Sequence, residues 1–343
     1  MEPIWDENDP QEQLRIVLSL TRPVVRGEGL RGWLESLLPH AYVRERNPLF
    51  AYEMRDITQG RSQTDLLRGL AMSLLRDAGF GVVLWIIAFL INGGGTAFAR
   101  YDRLWLLFAL AFALTLVTSF ALDAFSVLAI AQNNRQRQSG SSQQDLVRIS
   151  QIDVASLVRA RFASAQIRVW DSMRTVIGLR LIVLVFALLN LLVAPLLMDD
   201  LHLREYFGWR FNSIFSFLPG GFLELMTGLA VLLLGGLLFA EPVWRMRALA
   251  AAGLAVSTGT HLGALVPLYA AAILASIWLI QLTLLAAMVI ILFVASSSPA
   301  CLAIMLPGAV LIGGGGMRML YFGVMLSQLQ SVYRRTLAEA DSA

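Results

Sequence analysis

The 343-residue chain is 57% hydrophobic and only 15% charged, with a mean hydropathy of +0.65. A soluble domain is excluded at that apolar content, which marks a polytopic membrane protein. All 27 of its basic residues are arginine and the net charge is +3; the single cysteine, Cys301, excludes an intramolecular disulfide and any cysteine-rich metal or cluster site.

The N-terminus, MEPIWDENDP, is acidic and polar, without the basic start and apolar core of a cleaved signal peptide, so insertion is expected to rely on internal spans. Residues 1–78 read as a polar, cytoplasmic N-terminal region. Within it, TDLLRGLAMSLLRDAG gathers Leu66, Leu67, Leu70, Met72, Leu74 and Leu75 on one side, with Arg68 and Arg76 on the other. That pattern predicts an interfacial elbow helix leading into the first span.

Apolar runs long enough to cross a bilayer predict an all-α transmembrane domain over 79–332, with six spans at about 79–98, 104–130, 176–197, 217–240, 268–296 and 313–332. Between the second and third lies a polar connection, 132–174, too short for a domain with its own core. Its second half, DVASLVRARFASAQIRVW, places Val154, Leu157, Val158, Phe162 and Ala165 in the i, i+3, i+4 rhythm of one helical face, with Arg159, Gln166 and Arg168 off it. A second amphipathic helix is therefore expected.

Six crossings with the N-terminus inside put most arginines in interior segments, as the positive-inside rule requires. The predicted topology is N-in, C-in, with Arg334 and Arg335 opening a cytoplasmic tail, 333–343. Trp105, Tyr206 and Trp209 then fall near outer boundaries, and Trp170, Trp244 and Tyr333 near inner ones, where amphipathic rings are favoured.

Charge inside a span is costly unless paired or wet. Asp123, in FALDAFS, lies in the inner half of the second span, and Glu224, in GGFLELMTG, in the outer half of the fourth. Both are expected to line the interior of the subunit or a pathway; for Asp123 the alternative is neutralisation by a neighbouring Ser or Arg for structure alone. Arg180 is near enough to the inner boundary of the third span to snorkel out.

Catalytic readings find no support. His40, His202 and His261 share no depth suited to axial haem ligation. Asp199, Asp200 and His202 bring no further ligand with them for a zinc site, and no nucleophile has a base at matching depth. No enzyme activity, cofactor, metal or nucleic-acid partner is expected. The glycine run of LIGGGGMRMLYF cannot be a nucleotide loop, because a chain without lysine has no Walker motif.

Three segments carry a family resemblance. NPLFAYEMRDITQGRS, at 47–62, resembles the Asn-Pro-(apolar)-x-x-Glu-(apolar)-Arg segment that opens bacterial type-2 ABC exporter permeases and their permease-associated membrane proteins. NRQRQSGSSQQDLVRISQIDVASLVRARF is similar to their interior connection, and EPVWRMRALAAAGLAV to a charged interior turn. The resemblance implies a six-span half-transporter in the bacterial cytoplasmic (inner) membrane. It also implies a coupling helix docked on a separate cytoplasmic ABC ATPase subunit, and pairing with a second membrane subunit as a homo- or heterodimer. Arg159 and Arg161 on the coupling helix, with Arg245 and Arg247 on the next interior turn, would face the ATPase; otherwise they fix topology and hold lipid headgroups. The family's Glu-Arg-Glu-x-Gly-Thr run is replaced here by NRQRQSGSSQ, without an acidic residue. That departure keeps a second reading open, a non-transporting scaffold or accessory subunit of a larger membrane complex. Under either reading, Ala271 with Ala275 and Ala272 with Ser276 allow close helix packing. No inverted repeat of broken helices supports a channel or secondary transporter.

By the same resemblance, Pro299 to Ile312 is expected to form a re-entrant hairpin, since about 14 residues at about 1.5 Å each do not cross a core of about 30 Å. Gly313, Gly314, Gly315 and Gly316 would be the flexible joint before the last span. Arg318 would lie about 8 Å inside the outer boundary, within reach of Glu224. The alternative starts the last span near Met305, with the glycines a weak point inside it.

Overall fold

The computed structural model describes residues 10–23, 36, 38, 50, 63–93, 97–138, 153–192, 222–259, 266–295 and 299–341. Among these, a short helix α1 (Pro10–Thr21) precedes six long ones: α2 (Gln63–Ile91), α3 (Ala97–Gln138), α4 (Val154–Leu192), α5 (Phe222–Gly259), α6 (Val266–Ala295) and α7 (Pro299–Asp341). Four helical stretches, Asp65–Ile91, Asp102–Gln132, Val154–Asn190 and Pro307–Ala338, are long and apolar enough to cross a membrane. The described residues are all-helical, and the chain is a multi-pass membrane protein.

Local signals set the helix ends. Asp153 caps α4, its Oδ1 accepting from the Ala155 N–H at 3.3 Å and its carbonyl from Leu157 at 3.1 Å. α2 stops at Asn92-Gly93: the Asn92 amide side chain donates to the Ala88 carbonyl at 2.8 Å, and the Gly93 N–H to Leu90 at 3.2 Å. The glycines that follow in sequence cannot favour another turn.

Exposed apolar side chains mark a band of membrane thickness. On α2, past a marginally exposed Leu67, they run from Met72 to Ile91, and on α3 from Leu106 to Phe125. Each stretch is about 29 Å of helix at about 1.5 Å per residue, against a hydrocarbon core of about 30 Å. On α7 the stretch runs from Met305 to Phe322. Beyond the band, at the end of the bundle where α2 begins, the pattern reverses. There α1, the first half of α4 and the last halves of α5 and α7 share one core, which includes Leu20, Phe162, Trp170, Met246, Leu254, Leu329 and Tyr333. We call this the polar end. Ile130 near the end of α3 and Leu66 at the start of α2 join the same core, so successive long helices alternate in direction.

Two expectations about helix boundaries change. The elbow helix is not a separate element but the first turns of α2, and the amphipathic segment after Asp153 runs unbroken into the third span as the 39-residue α4. No proline interrupts either stretch. The apolar face of that segment is covered by protein: Leu157, Val158, Phe162 and Ala165 are buried, and Gln166, expected off that face, is buried as well. An α-helix of that length measures about 58 Å, so about 28 Å of it lies beyond a 30 Å core.

The C-terminal stretch also differs from its expectation. Residues 299–341 form one 43-residue helix containing Pro307, in place of a hairpin and a hinge. The glycine run lies inside it, where Gly314 is buried against α5: a Cβ there would stand 3.0 Å from Leu237 Cδ1. The missing side chain lets two helices approach closely, and α7 packs along α5 more extensively than any other pair of elements. Glycine also opens the contact of α5 with α3, where a Cβ on Gly253 would meet Ile130 Cβ at 2.8 Å.

Candidate functional site

Five helices converge on a buried cluster of ionised and polar side chains at the polar edge of the apolar band. α3 contributes Asp123, on the same helical face as Thr115, Ser119 and Ser126, all four buried. The three hydroxyls each donate to the carbonyl one turn back, at 2.7–2.8 Å. Their hydrogens are thus satisfied within α3, and their oxygens remain as acceptors along its inner face.

α5 contributes Glu241 and Arg245, one turn apart and on one face, with Arg245 Nε 3.6 Å from Glu241 Oε1. Arg245 Nη1 reaches across to Asp123 Oδ2 at 3.2 Å. The same carboxylate oxygen accepts from Trp278 Nε1 of α6 at 3.2 Å. The Trp278 ring is held edge-on to Phe120 of α3, centroids 5.1 Å apart. On the other side, Arg180 of α4 pairs with Glu241 Oε2 at 2.7 Å. Gln281 of α6 donates to Glu241 Oε1 at 2.8 Å, and the Tyr321 hydroxyl of α7 donates to that oxygen as well. Gln281 also contacts the Tyr321 hydroxyl.

The cluster balances two carboxylates against two guanidiniums. Glu241 and Arg245 are only 3% exposed. Burying such charges is costly unless each is paired and hydrogen-bonded, and breaking one partner leaves an uncompensated charge in a low-dielectric interior. Chemically, the arrangement cross-links five helices at one level. Among the described residues no group of three or more His, Cys, Asp or Glu is placed to hold a metal ion.

Pro242 lies beside Glu241 within α5. Having no N–H, it leaves the carbonyl of Leu238, four residues earlier, without its helical donor. Arg180 Nη1 lies 3.4 Å from that oxygen. One guanidinium therefore serves both the Glu241 carboxylate and the backbone opened by the proline.

The sequence-selected residues are distributed unevenly about this cluster. Asp123 is at its centre. Arg245, expected at an exposed interior turn, is inside it. Arg180, expected to snorkel outward, turns inward. Arg247 donates to the Ser36 carbonyl at 2.6 Å, and Arg159 to the carbonyl and hydroxyl of Ser19 at 3.3 Å, tying N-terminal residues onto the bundle. Arg161 is half-buried in α4. Arg318 is exposed, with its guanidinium carbon 5.9 Å from the centre of the Trp244 ring. It lies about one turn of α7 from Phe322 and so toward the polar edge of the band rather than the opposite one. Glu224 falls in the first turn of α5, and its side chain is outside the described residues, as are Asp199, Asp200, His40, His202 and His261.

Sequence reasoning missed Glu241, Trp278, Gln281 and Tyr321. Two signals were present: Glu241 and Arg245 stand at i, i+4, and Thr115, Ser119, Asp123 and Ser126 repeat at helical spacing through an apolar span. A second buried polar link, Asn190 of α4, accepts from Trp85 Nε1 of α2 at 2.7 Å and donates to the Leu104 carbonyl of α3 at 3.2 Å. No family model, no curated protein and no solved structure matches the chain.

Proposed function

We propose that this chain is the membrane-spanning, permease-like subunit of an ABC-type export system of the bacterial inner membrane, working with a separate cytoplasmic ATPase and a second membrane subunit. The observation that carries the reading is the packed extension of α4, α5 and α7 beyond the apolar band. Rigid helices that continue about 28 Å past the bilayer core offer a lever through which a partner at the polar end acts on the membrane half. The ion cluster stands where the lever meets the membrane. The permease-like segment at 47–62 and six long helices of alternating direction agree with this reading, with the polar end taken as cytoplasmic. On α6, Ala271, Ala272, Ala275 and Ser276 are exposed, a small-residue face suited to a second membrane subunit.

A scaffold subunit without transport is the second reading. It is favoured by one observation, that Arg159, Arg245 and Arg247 each bond within the chain. The test is co-purification of a cytoplasmic ATPase with the chain and reconstitution of the two. Under the first reading, Arg161→Glu with Arg159→Glu lowers ATPase turnover while the membrane subunit still assembles. Unchanged turnover in an intact complex removes coupling through α4 and leaves the scaffold.

A further inference from the structure

A cleft of about 370 Å³ opens between α2 and α4, away from the ion cluster. Its polar part is formed by Ser73, Arg76 and Asp77 of α2 with Arg174 and Thr175 of α4; Phe80, Leu179 and Ile182 form its apolar part. Both helices run from the polar end into the apolar band, so in each the polar residues come first and the apolar ones lie deeper. From Arg174 to Ile182 is about 12 Å of helix. Exposed Met72 and Leu75 flank the cleft on α2, so its charged part lies about one turn inside the polar edge of the apolar band, a depth from which long arginine stems reach headgroups.

The guanidiniums are held but not used up. Arg76 Nε and Nη2 lie 2.9 and 2.8 Å from Asp77 Oδ1, which leaves further N–H donors on a side chain that is 76% exposed. Asp77 is buried against α4 at Gly178, where a Cβ would collide with its Oδ2, and its other carboxylate oxygen anchors Arg76. Arg174 lies against Gly69, and among the described residues its ion-pair partner is Asp171, at a loose 3.6 Å. Two arginines and one aspartate line the cleft over an apolar floor, and Asp171 pairs only loosely with Arg174 from outside the lining, so N–H donors of both guanidiniums remain for an anion.

We propose that this cleft binds the phosphate headgroup of an anionic glycerophospholipid, with an acyl chain along Phe80, Leu179 and Ile182. Planar guanidiniums offer paired donors to phosphate oxygens, and basic pockets between membrane helices are a recurrent headgroup site. The volume falls within the range of small-ligand sites. The proposal does not depend on transport.

The test is native mass spectrometry of the delipidated full chain in detergent, titrated separately with phosphatidylglycerol, phosphatidylcholine and inorganic phosphate. Phosphatidylglycerol should bind about tenfold or more tightly than phosphatidylcholine, and phosphate alone should bind far more weakly. Arg174→Gln removes charge at the polar part, and Ile182→Trp fills the apolar part. Each should weaken phosphatidylglycerol binding by about tenfold while leaving elution and melting temperature close to those of the unaltered chain. Unchanged binding in both variants overturns the site. Equal binding of phosphatidylcholine reduces it to ordinary lipid contact, and phosphate binding as tightly as the lipid makes it a free-anion site; either result overturns the proposal.

Discussion

Arg180 approaches the carbonyl oxygen of Leu238 to 3.4 Å, at the point where Pro242 removes the donor that an α-helix would supply. The proline and the arginine are thus energetically linked through a backbone atom. Arg180→Met should destabilise the protein by about 3 kcal/mol, the low end for removing one partner of a buried pair, because Glu241 keeps Arg245, Gln281 and Tyr321. In a Pro242→Ala background the substituted residue carries an N–H again, and the loss should shrink by about 1 kcal/mol. A double-mutant cycle read from unfolding in mixed detergent micelles checks this; strictly additive effects would sink the linkage.

Asp123 and Arg245 should respond unequally to substitution. Asp123→Asn keeps an oxygen for Trp278 and leaves Arg245 with Glu241, so a loss of about 1–3 kcal/mol is expected. Arg245→Met deprives both carboxylates of a counterion and should cost about 3–5 kcal/mol. The measurement is the midpoint of unfolding by circular dichroism for each variant. Equal losses, or a larger one for Asp123→Asn, would show that Arg245 does not hold the two carboxylates together.

Much of the fold was legible because hydrophobic length is a strong signal. The six apolar runs each fall largely within a long helix, and the all-helical class follows from them. The boundaries were not legible, because an amphipathic stretch such as Val154 to Trp170 reads alike whether it lies on lipid or against other helices. Only tertiary packing distinguishes them, and here α1, α5 and α7 cover it. The same limit hid half of the ion cluster. A span ending at residue 240 put Glu241 and Arg245 in water, where two charges one turn apart need no explanation. Asp123 stood out because its neighbours in sequence are apolar, but its partners come from α5 and α6 and leave no local trace.

Asn190 gives a test of the second polar link. Asn190→Leu leaves the Trp85 indole N–H in an apolar setting beside Phe186 and Leu104, at an expected cost of about 1–3 kcal/mol. Trp85→Phe in the same background removes the stranded donor, so the pair should be less than additive. Blue-shifted tryptophan emission and the unfolding midpoint report on the site together. Full additivity would mean that the 2.7 Å contact between Trp85 and Asn190 contributes little.

The glycine run separates packing from hinging. At Gly315 a Cβ meets nothing within 4 Å, whereas at Gly253 it meets the branched Cβ of Ile130 at 2.8 Å. Gly315→Ala should therefore stabilise α7 by about 0.5–1 kcal/mol through helix propensity alone. Gly253→Ala gains the same propensity but must push α5 from α3, so a net loss of about 1–3 kcal/mol is expected. Gly314→Ala falls between them, because its obstacle is the mobile end of Leu237 at 3.0 Å. Thermal unfolding of the three variants gives the order directly. Where an activity assay is in hand, Gly315→Ala should also leave turnover unchanged, since the glycines sit within a continuous helix and serve its contact with α5. A stabilised Gly315→Ala variant that lost activity would instead require α7 to bend at this run during the cycle.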